Sequence, residues 1–203
     1  MNQEKIIDDL NAIAQIDIEV KQALAIYGYP APRIRPAGFE TFLSTIVGQQ
    51  ISTEAAAAIM GRIRGLLPDM RAQRLLELPD GALRQAGLSG RKVEYAQGLA
   101  TAIADGELDV DALAEQSDVE AIGAITALRG FGVWSAEIYL MFSLKRRDIF
   151  PANDLALQVA LQKLKGLEQR PSEKQAREVI AHWSPWRSAG SLFLWHFYRG
   201  APT

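Results

Sequence analysis

The chain has 203 residues, 48% of them hydrophobic and 23% charged, a balance that sustains a packed core and excludes whole-chain disorder. Cysteine is absent and histidine occurs only at His182 and His196, which excludes disulfides, thiolate zinc sites, cysteine-held iron–sulfur clusters and histidine-rich metal centres. The net charge of −2 is unevenly spread: residues 1–120 hold 11 Lys and Arg against 18 Asp and Glu, whereas residues 121–203 hold 11 against 6. Such a division either gives one basic face suited to phosphates or is chance segregation on a solvated surface.

No run reaches the ~18 apolar residues of a membrane span. The opening Met1-Asn2-Gln3-Glu4-Lys5 lacks the basic-then-apolar signature of a secretory signal, so a cytoplasmic protein is expected. Along the chain, helical periodicity dominates. Phe39, Phe42, Leu43, Ile46 and Val47 recur at i, i+3, i+4, i+7 and i+8, one apolar helix face that Gly48 ends. Ser52 or Thr53 caps a helix running to about Gly65, and Pro68-Asp69 and Pro79-Asp80 each start a short helical piece. Ser89 precedes a helix with Val93, Ala96, Ala100 and Ile103 on one face. Ser117-Asp118-Val119-Glu120 matches a capping box and predicts a helix over about 118–127.

Gly130 and Gly132 interrupt, and a helix apolar on most sides follows from Val133 to about Leu144, ended by Lys145-Arg146-Arg147. Pro151 marks a non-helical link and Asp154 opens a helix through Leu164. Ser172-Glu173-Lys174-Gln175 is a second capping box, and Ser184-Pro185 predicts a cap with proline at the first position of a last helix reaching about Arg199. No segment alternates with a period of two, so little or no sheet is expected.

Two features carry chemistry. Leu128-Arg129-Gly130-Phe131-Gly132-Val133-Trp134 joins two helices. Its glycines permit positive φ and close backbone approach, Phe131 anchors the turn, and the amides opening the second helix can hold a phosphate without net positive charge. The competing reading is a tight helix–helix turn with no ligand. About twenty residues on, Asp148-Ile149-Phe150-Pro151-Ala152-Asn153-Asp154 ends in an aspartate that is either a helix cap and nothing more or a functional carboxylate.

Together these features resemble the helix-hairpin-helix base-excision DNA glycosylases, defined by a hairpin, a Gly/Pro-rich loop and an aspartate. Within that group the likeness is to the bacterial 3-methyladenine DNA glycosylase II type. Four stretches carry it: FLSTIVGQQIS at 42–52, LRGFGVWSA at 128–136, DIFPAND at 148–154 and WSPWRSAGSLFLW at 183–195. The resemblance implies an all-α fold of two helical lobes with a central cleft and without the N-terminal β domain of longer bacterial members. Residues 39–147 would form a helical barrel ending in the hairpin (about 118–144), and residues 1–38 with 148–203 the second lobe.

The resemblance further implies an enzyme, a monofunctional glycosylase removing alkylated, cationic purines such as 3-methyladenine and 7-methylguanine. Asp154 would be the catalytic carboxylate. Trp134, Trp195, Ile138 and His196 would line the base pocket, where an electron-rich ring attracts a cationic base. Trp134 stands where bifunctional relatives carry a lysine nucleophile, so no strand cleavage is expected. Ile138 and His196 replace aromatic residues, which leaves the substrate range open. Gln49, Gln50 and Ile51 align with the wedge that fills the hole left by a flipped base, against a reading as plain surface loop.

Gly130, Gly132, Val133 and Trp134 would grip DNA phosphate through amides, with Arg91 in a second helix N-terminus either helping or merely exposed. No side-chain metal site or cofactor is implied, although related hairpins hold Na+ or K+ on carbonyls corresponding to Thr126, Leu128 and Phe131. The partner expected is duplex DNA bearing alkylated bases, bound by a monomer. Two alternatives stay open: a non-catalytic module that binds DNA structure through the hairpin, and a helical protein-interaction domain.

Overall fold

The computed structural model describes residues 1–200. Twelve α-helices run in order: α1 (Gln3–Ile16), α2 (Ile18–Tyr27), α3 (Phe39–Gly48), α4 (Thr53–Leu66), α5 (Ala72–Leu76), α6 (Ala82–Gln85), α7 (Gly90–Ala104), α8 (Asp118–Thr126), α9 (Val133–Phe142), α10 (Leu155–Lys165), α11 (Glu173–Val179) and α12 (Arg187–Tyr198). Short 3-10 turns occupy Ala112–Ala114 and Ala181–Trp183, and no strand occurs among the described residues. No described helix is long and apolar enough to cross a membrane. The chain forms two compact units, residues 1–34 with 137–200, and residues 35–136. The sequence reading set these changes at 39 and 148; the second falls inside α9, at Ala136–Glu137.

In the first unit α1, α2, α10 and α12 pack together. Ile6, Leu10 and Ile13 form the buried stripe of α1, and α12 is buried from Ser188 through Trp195. Gly190 lets α12 approach Trp183: a Cβ there would stand 2.5 Å from the indole, which is itself fully buried. Asp17 ends α1 and caps α2 through Val20 N–H at 3.2 Å. Its buried carboxylate also accepts from Lys165 Nζ (2.6 Å) and Trp183 Nε1 (2.6 Å), and meets His182 Nε2 at 2.9 Å. Burial pushes this carboxyl up, but the donors outweigh it and hold its pKa at about 2.

In the second unit α3 packs on α4 and α7, and α7 on α5 and α6. Both predicted capping boxes form, at Ser117–Glu120 and Ser172–Gln175. The last helix departs from expectation. It begins at Arg187 rather than after Ser184, because Ser184 Oγ donates to Asp148 Oδ2 (2.7 Å) instead of capping.

Candidate active site

Asp154 reaches its place through a loop fastened at almost every step. Asp148 takes two parallel bonds from Arg187, Nε–Oδ1 and Nη2–Oδ2, both 2.6 Å. Burial pushes the Asp148 carboxyl up, yet Arg187 and Ser184 hold it below the usual carboxylate range. Ile149 N–H donates to Ser188 Oγ (3.0 Å), which donates to the Arg146 carbonyl (2.8 Å). Arg177 Nη1 donates to the Phe150 carbonyl (3.1 Å), and Gln158 Nε2 to the Ala152 carbonyl (2.7 Å). Irregular backbone is thereby satisfied by side chains rather than by secondary structure.

The half-buried Asp154 caps α10. Its Oδ1 accepts from Leu157 N–H (3.0 Å) and from the indole Nε1–H of Trp195 (3.2 Å). These two hydrogen bonds to one oxygen, at the N-terminus of α10, fix the plane of the carboxyl group. Trp195 is 8% exposed, packs 5.9 Å from the Phe142 ring, and carries the Arg33 guanidinium 5.8 Å from its ring centroid. Ile138 is buried in the same unit. His196 Nε2 lies 2.8 Å from the Tyr27 carbonyl, an acceptor, so that nitrogen carries the proton and ties the imidazole to the end of α2.

Beneath the loop lies an ion pair absent from the sequence reading. Arg177 Nη2 donates to Glu137 Oε1 (2.9 Å), and Glu137 is 3% exposed. Burial raises the Glu137 pKa, and Arg177 offsets this only in part. Its Oε2 is buried without a partner.

The second unit holds the hairpin. Gly130 has φ +95° and stands against Tyr95, whose ring would lie 2.4 Å from an added Cβ. Gly132 needs neither freedom. A Cβ there meets nothing within 4 Å, so of the two glycines from which the sequence suggested positive φ and close approach, only Gly130 is required by the turn. Instead, a bare Gly132 leaves the start of α9 uncovered. Phe131 is buried edge-on against Phe42 at 5.5 Å, the anchor expected. Val133 and Trp134 are 42% and 41% exposed, and Arg91 is exposed at the start of α7.

Gln49 Nε2 donates to the Gly130 carbonyl (2.8 Å), and Lys92 Nζ donates to the carbonyls of Val47 and Gln49 (2.7 Å each). Loop and hairpin are thus clamped together. Gln49 is committed to this clamp, whereas Gln50 (φ +57°) and Ile51 are exposed. Burial pushes the Lys92 ammonium pKa down. Lys92, next to Arg91 in the chain, is thus committed to backbone carbonyls.

Residues 43–185 match the HhH-GPD superfamily of base excision DNA repair proteins. The chain belongs to that family. It is 29% identical over 161 residues to DNA-3-methyladenine glycosylase 1 of Schizosaccharomyces pombe, covering 77% of this chain and 71% of that protein. It is 28% identical over 123 residues to the DNA-3-methyladenine glycosylase of Bacillus subtilis, covering 61% of this chain but only 41% of that longer protein. The crystal structure of a DNA-3-methyladenine glycosidase from Bacillus halodurans superposes with a TM-score of 0.85 at 32% identity, covering 94% of this chain and 88% of that one. The all-α fold is therefore that of the HhH-GPD glycosylases, and the chain is a repair-family member.

Proposed function

We propose that this HhH-GPD protein is a monofunctional DNA glycosylase that hydrolyses the N-glycosidic bond of alkylated purines, 3-methyladenine and 7-methylguanine among them. The observation that carries the reading is Asp154 Oδ1 held by Leu157 N–H and the Trp195 indole N–H at the end of a pinned loop. The relatives named for 3-methyladenine support the substrate class.

As the C1′–N bond breaks, its electron pair leaves with the base and positive charge grows on the deoxyribose. A carboxylate ~4 Å away stabilises that charge by roughly 4 kcal/mol at an effective dielectric near 20, about a thousandfold in rate. Water adds to C1′ and releases a proton, for which Asp154 is the acceptor in hand. A cationic alkylpurine leaves as a neutral molecule, so no strong general acid is needed. With Trp134 at the position of the lysine nucleophile in bifunctional relatives, no Schiff base forms and the product is an intact abasic strand.

In this reading the base stacks on Trp195. Gln50 or Ile51 fills the vacated stack, and the amides of Gly132, Val133 and Trp134 hold the phosphate, with Arg91 assisting. The carbonyls of Thr126, Leu128 and Phe131 suit a monovalent cation: Leu128 O takes Phe131 N–H at 3.2 Å and keeps a second lone pair. Such an ion would stiffen the hairpin. One monomer supplies every residue named.

Release of 3-methyladenine and 7-methylguanine from methylated duplex DNA tests the proposal. Wild-type protein should release both and leave strands intact before alkali; Asp154→Asn should be slower by about a thousandfold. DNA binding without release by wild type would instead establish a binding module.

A further inference from the structure

From Glu137 to Ser143 every residue is buried, and those that follow Glu137 in α9 are apolar: Ile138, Tyr139, Leu140, Met141 and Phe142. One carboxylate stands at the head of this run. Only one of its oxygens is served. Oε1 accepts from Arg177 Nη2 at 2.9 Å, and Oε2 is buried without a hydrogen-bond partner. Such a group costs stability, and a buried ion pair seldom repays the loss of water. An apolar side chain would suit this stretch better, so stability does not explain the carboxylate.

Its effect is visible at Arg177. The guanidinium reaches two ways at once, with Nη2 on Glu137 and Nη1 on the Phe150 carbonyl at 3.1 Å. That carbonyl belongs to the peptide joining Phe150 to Pro151. Proline brings no N–H, so the carbonyl is the one polar group by which this peptide can be held. The next carbonyl, of Pro151, accepts the N–H of Asp154 at 2.9 Å and closes the turn that presents Asp154.

Arg177 also has an outward partner. Glu173, one turn earlier on α11 and exposed, accepts from the same Nη2 at 3.3 Å. A solvent-exposed pair of this kind is weak, yet it offers the guanidinium a place away from the loop. The Glu137 charge acts where water screens it least, and so decides for the inward position.

We propose that Glu137 is a positioning residue for Asp154: through Arg177 and the Phe150 carbonyl it fixes the turn that carries the reacting carboxylate. The inference rests on the glycosylase reading and extends it to a residue too deeply buried to meet DNA.

The test compares wild type, Glu137→Met, Glu137→Gln and Arg177→Lys. Two quantities are measured: the single-turnover rate of 7-methylguanine release from duplex DNA, and the affinity for a duplex with an abasic site. Methionine fills the space without charge, and the guanidinium it leaves behind is half-buried and keeps Glu173, so Glu137→Met should fold. Its release rate should fall about tenfold or more, because small misplacements of a reacting group are costly, while affinity stays within about twofold. Glu137→Gln keeps an acceptor without the charge and should lie between. Arg177→Lys keeps a charge for Glu137 but loses the fork that also reaches Phe150, and should be slow as well. Urea unfolding checks each fold; should Glu137→Met fail it, Glu137→Gln decides by the same two measures. A wild-type rate in Glu137→Met or in Arg177→Lys overturns the proposal. An equal fall in rate and affinity also overturns it and makes the pair a structural tie. In both cases the glycosylase reading stands. Wild type that releases no base overturns both.

Discussion

At the scale of single residues, the role proposed for Trp195 has two separable parts. As a stacking surface it needs only an aromatic face, which phenylalanine supplies. As a donor it needs the indole N–H, which meets Asp154 Oδ1 at 3.2 Å. A hydrogen bond to a charged acceptor is worth about 1.5–3 kcal/mol, so Trp195→Phe should slow base release about tenfold or more. The affinity for a non-cleavable duplex should change far less, because the face survives. Equal loss in rate and affinity would assign Trp195 to stacking alone. Sequence could suggest an aromatic here by resemblance but not this bond, since 41 residues separate the partners. Arg33 and the Glu137–Arg177 pair were hidden for the same reason. No spacing rule links positions 40 or more residues apart, as Arg177 and Glu137 are.

At the scale of elements, local chemistry was readable where it acts locally. Ser52, Ser89, Ser117, Asp154 and Ser172 each cap the helix predicted after them, because a cap bond spans only three residues. The start of α12 was misplaced because Ser184 answers a distant carboxylate, Asp148. The hairpin separates its two glycines into distinct roles. Gly130→Ala would combine φ +95° with a Cβ 2.4 Å from Tyr95, and should destabilise the fold by about 2–4 kcal/mol. Gly132→Ala meets open space and should stay within about 0.5 kcal/mol of wild type. Its methyl would nevertheless stand before the α9 amides and weaken DNA binding several-fold. Urea midpoints and anisotropy titrations of both variants check this. An unstable Gly132→Ala, or one with full DNA affinity, would remove the amide grip from the mechanism.

At the scale of the whole molecule, the buried carboxylates set the acid limit. Asp17 is held at about 2, below the ordinary 3.8, so the fold favours its ionised form. Its contribution is complete above the unfolded value and disappears as the pH falls from about 4 through 2. That difference is worth about 2 kcal/mol, and Asp148, also depressed, adds in the same direction. Glu137 runs oppositely, since burial raises its pKa and protonation relieves it. Net stability by urea unfolding should fall between pH 5 and pH 2.5. Asp17→Asn should be weaker at pH 5 and lose less on acidification. A parallel loss in both proteins would show that the Asp17 cluster is not the acid-sensitive element.

Charge along the chain and charge in the fold divide differently, and DNA binding depends on the second. The sequence placed the hairpin in a basic C-terminal stretch. In the fold, the unit of residues 35–136 that carries the hairpin, the Gln49-Gln50-Ile51 loop and Arg91 holds 9 Lys and Arg against 13 Asp and Glu. The other unit holds 13 against 11. Phosphate binding by the acidic unit, as proposed, would therefore rest on backbone amides and few cations. Each Lys or Arg that neutralises a phosphate contributes about −0.9 to the slope of log affinity on log salt, whereas an amide carries only partial charge and displaces little counterion. The slope on a duplex with an abasic site, measured from 50 to 200 mM salt, should be about −3 or shallower. Arg91→Ala should reduce it by about one. A slope of about −5 or steeper would mean that an array of cations, not the hairpin amides, holds the backbone. Weak electrostatic holding also suits a lesion searcher: a protein fixed by few counterion-dependent contacts leaves undamaged DNA readily, and commits only where a base can be flipped.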